Sequence, residues 1–370
     1  MSLLSTNLTS APVYVDNTPN TATDITSIHS EIIVSSGSSH TVTSTGYDTD
    51  NLIILSGDGA GLADSSPFPG SNGDHIVLLG NNETVSLGGG GNVIDAYGTA
   101  QITVGNTLDA GAPAPLNSGN RVNAIGGGGV SVSGGGRSFV FDATNGTGNY
   151  LVDGNGAISA TINGGAGGGT FVGGQFIDAR LNPIYARPSA DNTITAGDKP
   201  STLQGSQYGH NVLNAKGSAT DILIAGEYAQ TTESAVGSTG NNYLEGYLGQ
   251  YAPPPDPNLP PTATLMMAGD GNDTLIGGSG STTMIGGKGQ DVFAFLNIAG
   301  NQVPGGNTDA INGFVSGHDF VFLGGFGQSA DQVFAGATVG QDGGTVLHLS
   351  DGTTVSFTHQ SITAADIVVG

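Results

Sequence analysis

Seven times along this chain a turn-forming residue is followed by Asn and then by apolar residues at alternate or adjacent positions: GNVIDA, GNRVNA, GNYLVD, DNTITA, HNVLNA, NNYLEG and GNDTLIG. The asparagines are Asn92, Asn120, Asn149, Asn192, Asn211, Asn242 and Asn272. Four of the six steps between them fall between 28 and 31 residues, and a long step of 43 is followed by a short one of 19. A recurring unit of that size cannot bury its own apolar residues, so successive units must stack and share one core. The pattern predicts a solenoid, with an insertion at the long step and each Asn at a turn, where its amide bonds the backbone of its own or the next coil.

The segments between these cassettes support strands. EIIVSS (31–36), HTVTST (40–45), NLIILSG (51–57), HIVLLG (75–80) and ETVSLGG (83–89) are short apolar or alternating runs bounded by Gly, Asn and Asp. Gly supplies 65 of 370 residues, and each Gly inside a helix costs about 1 kcal/mol relative to Ala, so long helices are disfavoured. Stretches such as GGGGVSVSGGG (126–136) and NGGAGGGTFVGG (163–174) suit tight corners and lack the lysine of a phosphate loop. No segment has the periodicity of an amphipathic helix. The expected fold class is all-β: a right-handed parallel β-solenoid or β-roll with a β-rich C-terminal cap. Its expected organisation is an extended N-terminal arm (1–30), an irregular Gly/Asn-rich solenoid (31–250), a stiff Pro-rich loop (251–262), a short regular roll (263–295) and a C-terminal region (296–370). The arm either packs on its own subunit or adds as a strand to an open sheet edge of a neighbour.

Seven Lys and Arg stand against 30 Asp and Glu, for a net charge of −23. The few basic residues are scattered, so there is no stripe for nucleic acid. An acidic chain suits divalent cations. With no cysteine, disulfides, thiolate metal sites and cysteine nucleophiles are excluded. The opening MSLLSTNLTSAPVYV lacks the basic and apolar parts of a secretory signal peptide, and no apolar run approaches the roughly 20 residues of a membrane span.

The most regular stretch is Ala268 to Ala294, three consecutive nine-residue units: AGDGNDTLI, GGSGSTTMI and GGKGQDVFA. They resemble the glycine-rich calcium nonapeptide GGxGxDxUx, where U is a large apolar residue, of RTX proteins. These are secreted proteins built on a parallel β-roll. The resemblance implies that units one and three lie in the same row of turns, one coil apart. Asp273 and Asp291 would then hold calcium between them, while Thr282 leaves the opposite row without a comparable site. Calcium takes six to eight oxygens, so the resemblance adds backbone carbonyls around Gly269, Asp270, Gly271, Gly287 and Gly289. The C-terminal region extends it. Asp309, Ile311, Phe314, Gly317, Asp319 and Leu323 follow the order found at the end of RTX-type proteins exported by type I secretion, and HLSDGTTVSF reads as a hairpin turning at Asp351-Gly352. The resemblance covers about residues 266–370.

No catalytic motif emerges. The seven histidines form no HExxH, and there is no GxSxG. The pairs Asp178/Arg180 and Asp191/Lys199, around the long step, are the one arrangement suggesting a carbohydrate-active β-helix, a lyase or epimerase. The expected function is instead structural: a non-enzymatic, secreted, calcium-stabilised solenoid outside a bacterial cell, assembling with copies of itself into a filament, surface layer or biofilm matrix. The partners implied are self, the type I secretion machinery and a cell-surface or matrix polysaccharide.

Overall fold

The computed structural model describes residues 13–16, 22–25, 32–35 and 41–44 as backbone, and then 51–64, 73–104 (without 89), 119–174, 191–248 (without 207 and 227), 263–297 (without 279) and 306–370. Strand accounts for 51% of the structure and helix for 4%. The fold is a parallel β-solenoid. It divides into two compact units, Met1–Phe176 and Ile177–Gly370, and the division falls within the 31–250 stretch.

Each coil contributes one strand to each of two rows. In the first unit one row runs through Val13–Asp16, Ile32–Ser35, Leu52–Leu55, His75–Leu78, Val93–Ala96 and Gly119–Ala124, every neighbour parallel. The other runs through Ala22–Ile25, Thr41–Ser44, Gly61–Asp64, Glu83–Leu87 and Ala100–Val104. The strands Val130–Asp142 and Asn149–Asn163 are long because each serves both rows, turning between them. In Val130–Asp142 the register shifts between Ser133 and Gly135, so the GGG of 134–136 forms the corner expected of it. Residues 13–16 and 22–25, expected within an extended arm, form strands paired with later strands of the same chain. The isolated apolar residues of that segment alternate at strand spacing, which is why they join a coil.

Alternation at period two buries one face of the parallel strands from Leu52–Leu55 onward. Ile53, Ile76, Ile94, Val122, Phe141 and Ile162 stack in register, and Leu62, Val85, Ile102, Val132, Val152 and Phe171 form the opposing column, all 2% exposed or less. Phe141 joins the columns, with its ring 5.3 Å from that of Tyr150 and 6.3 Å from that of Phe171. Each such side chain contributes about 1.5–3 kcal/mol by leaving water.

The second unit repeats the plan. One row contains Asp191–Thr195, Tyr208–Asn214, Tyr228–Ser234, Ala263–Met267, Ser281–Ile285, Thr308–Asn312 and Thr354–Phe357. The other contains Ser201–Gln204, Ile222–Ile224, Tyr243–Glu245, Thr274–Ile276, Val292–Leu296, Phe320–Gly324 and Ile367–Val369. The cap is β-rich, as expected: Thr338–Val339, Thr345–His348 and Thr354–Phe357 pair antiparallel, and the 349–353 connection places Gly352 at φ 88°. One short helix, Ala330–Ala335, was not anticipated. Its signal is the capping box, in which Ser329 and Gln332 exchange side-chain-to-backbone bonds at the helix start. The Pro-rich loop 251–262 lies outside the described residues.

Candidate functional site

The polar feature that positions the turns is a ladder of buried Asn and Asp side chains. Each lies one residue before a strand, except Asn120, which is the second residue of Gly119–Ala124, and the side-chain oxygen accepts the backbone N–H of the equivalent residue one coil earlier. In the first unit Asn51 N–H donates to Asp74, Asp74 N–H to Asn92, and Asn92 N–H to Asn120, at 2.9–3.1 Å. In the second, Ser201 N–H donates to Asp221, and the chain of bonds continues through Asn242, Asp273, Asp291 and Asp319, at 2.6–3.1 Å. All of these side-chain acceptors sit in residues 6% exposed or less. Burying a polar group is tolerated only when it is paired, and a charge-assisted bond to a backbone N–H is among the stronger kinds. The opposite row of the second unit has a sparser version: Asn192 donates its amide to Asn211, and Thr282 N–H donates to Asp309.

This geometry sets the coil length. Ladder partners are 18 to 23 residues apart at five steps and 28 or 31 apart at three. Of the 28–31 residue cassette steps, Asn92 to Asn120 is one long ladder step and Asn242 to Asn272 stops one residue short of another, whereas Asn120 to Asn149 and Asn211 to Asn242 each cross from one row to the other. Asn149 is not a ladder member: it opens a strand half in the other row and is exposed.

The residues expected to hold calcium lie on this ladder. Thr274 is in register with Val292, so Asp273 and Asp291 occupy adjacent coils of one row, and Thr282 belongs to the other. Asp273 accepts the N–H and side-chain amide of Asn242 on one oxygen and Gly269 N–H, at 2.7 Å, on the other. Asp291 likewise accepts Asp273 N–H and Gly287 N–H. Gly287 packs so closely on the preceding turn that a Cβ there would lie 1.8 Å from Gly269 O; that carbonyl already accepts Lys288 N–H. The Asp270 carboxylate points elsewhere, to Lys288 Nζ at 3.1 Å on the exposed rim. Gly271 and Gly289 are neighbours in the same stack of turns, with the Gly271 carbonyl facing Gly289.

By donor chemistry these residues fit a hard cation: buried carboxylate oxygens with lone pairs remaining, beside carbonyls crowded into one line of turns. Among the described residues no three His, Cys, Asp or Glu side chains gather to hold a metal, so the backbone must complete any shell. The ladder itself does not require the ion, since neutral Asn242 fills the same position one coil earlier. Burial pushes Asp291 up to about 6, against the N–H bonds of Asp273 and Gly287 that lower it and with the charges of Asp273 and Asp319 that raise it. Burial likewise lifts Asp221 to about 6.

The acidic residues of the C-terminal motif are structural members too. Asp309 is 2% exposed and raised by burial to about 7. Asp319 ends the ladder by accepting Asp291 N–H and Val315 N–H, while Ile311, Phe314 and Leu323 are core. Gly317 N–H donates to Asp366.

A second polar line, not anticipated from sequence, runs along the outer face of the first unit. His75 Nε2 lies 2.9 Å from Asp95, whose other oxygen accepts Asn123; Arg121 then bridges Asn123 and Asp142. Burial would raise Asp95, but the bonds from His75 and Asn123 and the nearby positive charge hold it below its ordinary value. The only sequence signal is a polar residue at alternate positions of VIDA, RVNA and VFDA. Of the pairs considered for catalysis, Asp178/Arg180 lies outside the described residues, and exposed Asp191 contacts His210 at 3.2 Å. No protein-family model matches the sequence, and comparison with the curated proteins and with the solved structures found no match.

Proposed function

We propose that the protein is a secreted structural or adhesive solenoid that assembles with copies of itself outside the cell, stabilised by calcium. The observation that supports this reading is the strand pairing of the earliest described coil. Val13–Asp16 pairs only with Ile32–Ser35, and Ala22–Ile25 only with Thr41–Ser44, among the described strands of the first unit. Parallel strands paired on one side only among the described residues offer a template for strand addition, which proteins that remain monomeric normally block. Calcium would be held by Asp273 and Asp291 with carbonyls of Gly269, Asp270, Gly271, Gly287 and Gly289, neutralising like charges stacked in adjacent coils. Because such a site forms only in the folded chain, the ion would add directly to folding free energy.

Negative-stain microscopy and light scattering test the assembly. Filaments or sheets are expected in millimolar calcium, and a folded protein fused ahead of Met1 is expected to suppress them without changing the β-sheet circular dichroism. Particles that stay monomeric at every calcium concentration overturn the assembly reading. For the metal, calcium is expected to raise the melting temperature of the intact chain, and Asp291→Asn to remove most of that rise. An identical response in Asp291→Asn and wild type places the ion elsewhere.

A further inference from the structure

In the row Asp191–Thr195 to Thr308–Asn312, the position two residues after the ladder residue points into the core. It holds Ile194, Leu213, Met266, Met284 and Ile311 in successive coils, each fully buried. Between Leu213 and Met266 the same position is Glu233, 0% exposed, and neither of its carboxylate oxygens has a hydrogen-bond partner. The hydroxyl of Thr231, two residues earlier on the same strand, is also unpartnered. An ionised carboxylate cannot be held there without a counter-charge, and the adjoining strands provide none. Tyr208–Asn214 and Ala263–Met267 contain no Lys or Arg; their only Asp, Glu or His is His210, which faces outward at 67% side-chain exposure and contacts Asp191. The charge that reaches Glu233 is that of Glu245, on Tyr243–Glu245, and it has the same sign.

We propose that Glu233 couples the folding of the second unit to proton uptake, so that the unit closes around a neutral carboxyl and is tightest in acid. Burial first, and then the Glu245 charge, drive the Glu233 carboxyl well above its ordinary 4.5. The sign follows. In the unfolded chain Glu233 ionises near 4.5, so stability is fully present below that pH and is lost as pH rises towards the folded-state value. Glu83 in the first unit, buried and raised to about 7, and Asp309 respond in the same direction, so the difference between variants isolates Glu233. The inference rests on the fold and is independent of calcium and of assembly.

The experiment is thermal unfolding of the full chain in chelator from pH 5 to 8.5, with hydrogen exchange of amides 228–234 read alongside. Wild type is expected to melt progressively lower as pH rises. Glu233→Gln, which keeps the shape and cannot ionise, should match wild type at pH 5 and lose part of the slope. Glu233→Met, which restores the residue type of the next two coils, should raise the pH 8 melting temperature by roughly 5 °C or more. Protection of amides 228–234, corrected for intrinsic exchange, should fall between pH 5.5 and 8 in wild type and hold steady in Glu233→Gln. Parallel pH profiles for wild type and Glu233→Gln in both measurements overturn the proposal.

Discussion

Asp273→Ala is expected to destabilise the second unit by about 3–5 kcal/mol, measured as the shift in urea unfolding free energy in the presence of chelator. The carboxylate accepts the N–H groups of Asn242 and Gly269 inside a residue that is 1% exposed, and alanine leaves both donors buried and unpaired. Asp273→Asn should lose less, because it keeps the oxygen facing Asn242 and sacrifices only the bond to Gly269. Asp270→Ala is the control: that carboxylate is half exposed and held only by Lys288, so its loss should change stability by less than about 1 kcal/mol. Equal effects at positions 270 and 273 would mean that the ladder does not carry the turns.

Gly287→Ala is expected to cost more than about 4 kcal/mol, or to leave the second unit unable to close. The added methyl would meet Gly269 O at 1.8 Å and Gly269 C at 2.9 Å. These are backbone atoms, so relief requires the two coils to separate. Separation breaks the bond from Lys288 N–H to Gly269 O, at 3.0 Å, and strains that from Ala268 N–H to Ile285 O. Gly317→Ala isolates the conformational part of the effect, since Gly317 has φ 79° with nothing within 4 Å of a Cβ. Its expected cost is about 1–2 kcal/mol. Hydrogen exchange across 263–297 should distinguish the two, with protection lost broadly in the first variant and unchanged in the second.

The solenoid was legible because its core is written at period two and its turns in Gly and Asn. The coil length was not, because the cassette was read with Asn alone. Allowing Asp in the same position recovers the ladder: Asn51-x-Ile53, Asp74-x-Ile76, Asn92-x-Ile94, Asn120-x-Val122, Asp221-x-Leu223, Asn242-x-Leu244, Asp273-x-Leu275, Asp291-x-Phe293 and Asp319-x-Val321 are one pattern. Asn and Asp are equivalent there because the bond that sets the geometry uses only a side-chain oxygen. The Asp-x-Leu of the nonapeptide is thus the same element as the Asn-x-Ile of the irregular coils, with a charge added. Ladder spacing also varies, and residues 105–118, 249–262 and 298–305 each fall within one of its long steps. Glu233 could not be singled out from sequence, because it is unusual only once its column of apolar neighbours is known. The outer line from His75 to Asp142 was hidden for a related reason: its members are far apart in the chain and meet only through strand register.

The ladder also has a polarity. In every backbone-to-side-chain step the donor belongs to the earlier coil and the acceptor to the later one, and the series ends where Asp319 N–H turns back to Val315 O in its own turn. A coil's ladder N–H therefore lacks its acceptor until the successor is in place, whereas the last ladder N–H, that of Asp319, is answered within its own turn. Within the second unit, order is free to spread backwards along the chain from the region of Asp319, each finished turn supplying the oxygen that the preceding turn needs. A truncation from the C-terminal side would remove the terminator and leave a buried ladder N–H open at the new end, while a truncation from the other side leaves every remaining ladder N–H answered and opens instead the strand N–H that follows, as in Thr274 N–H to Asn242 O.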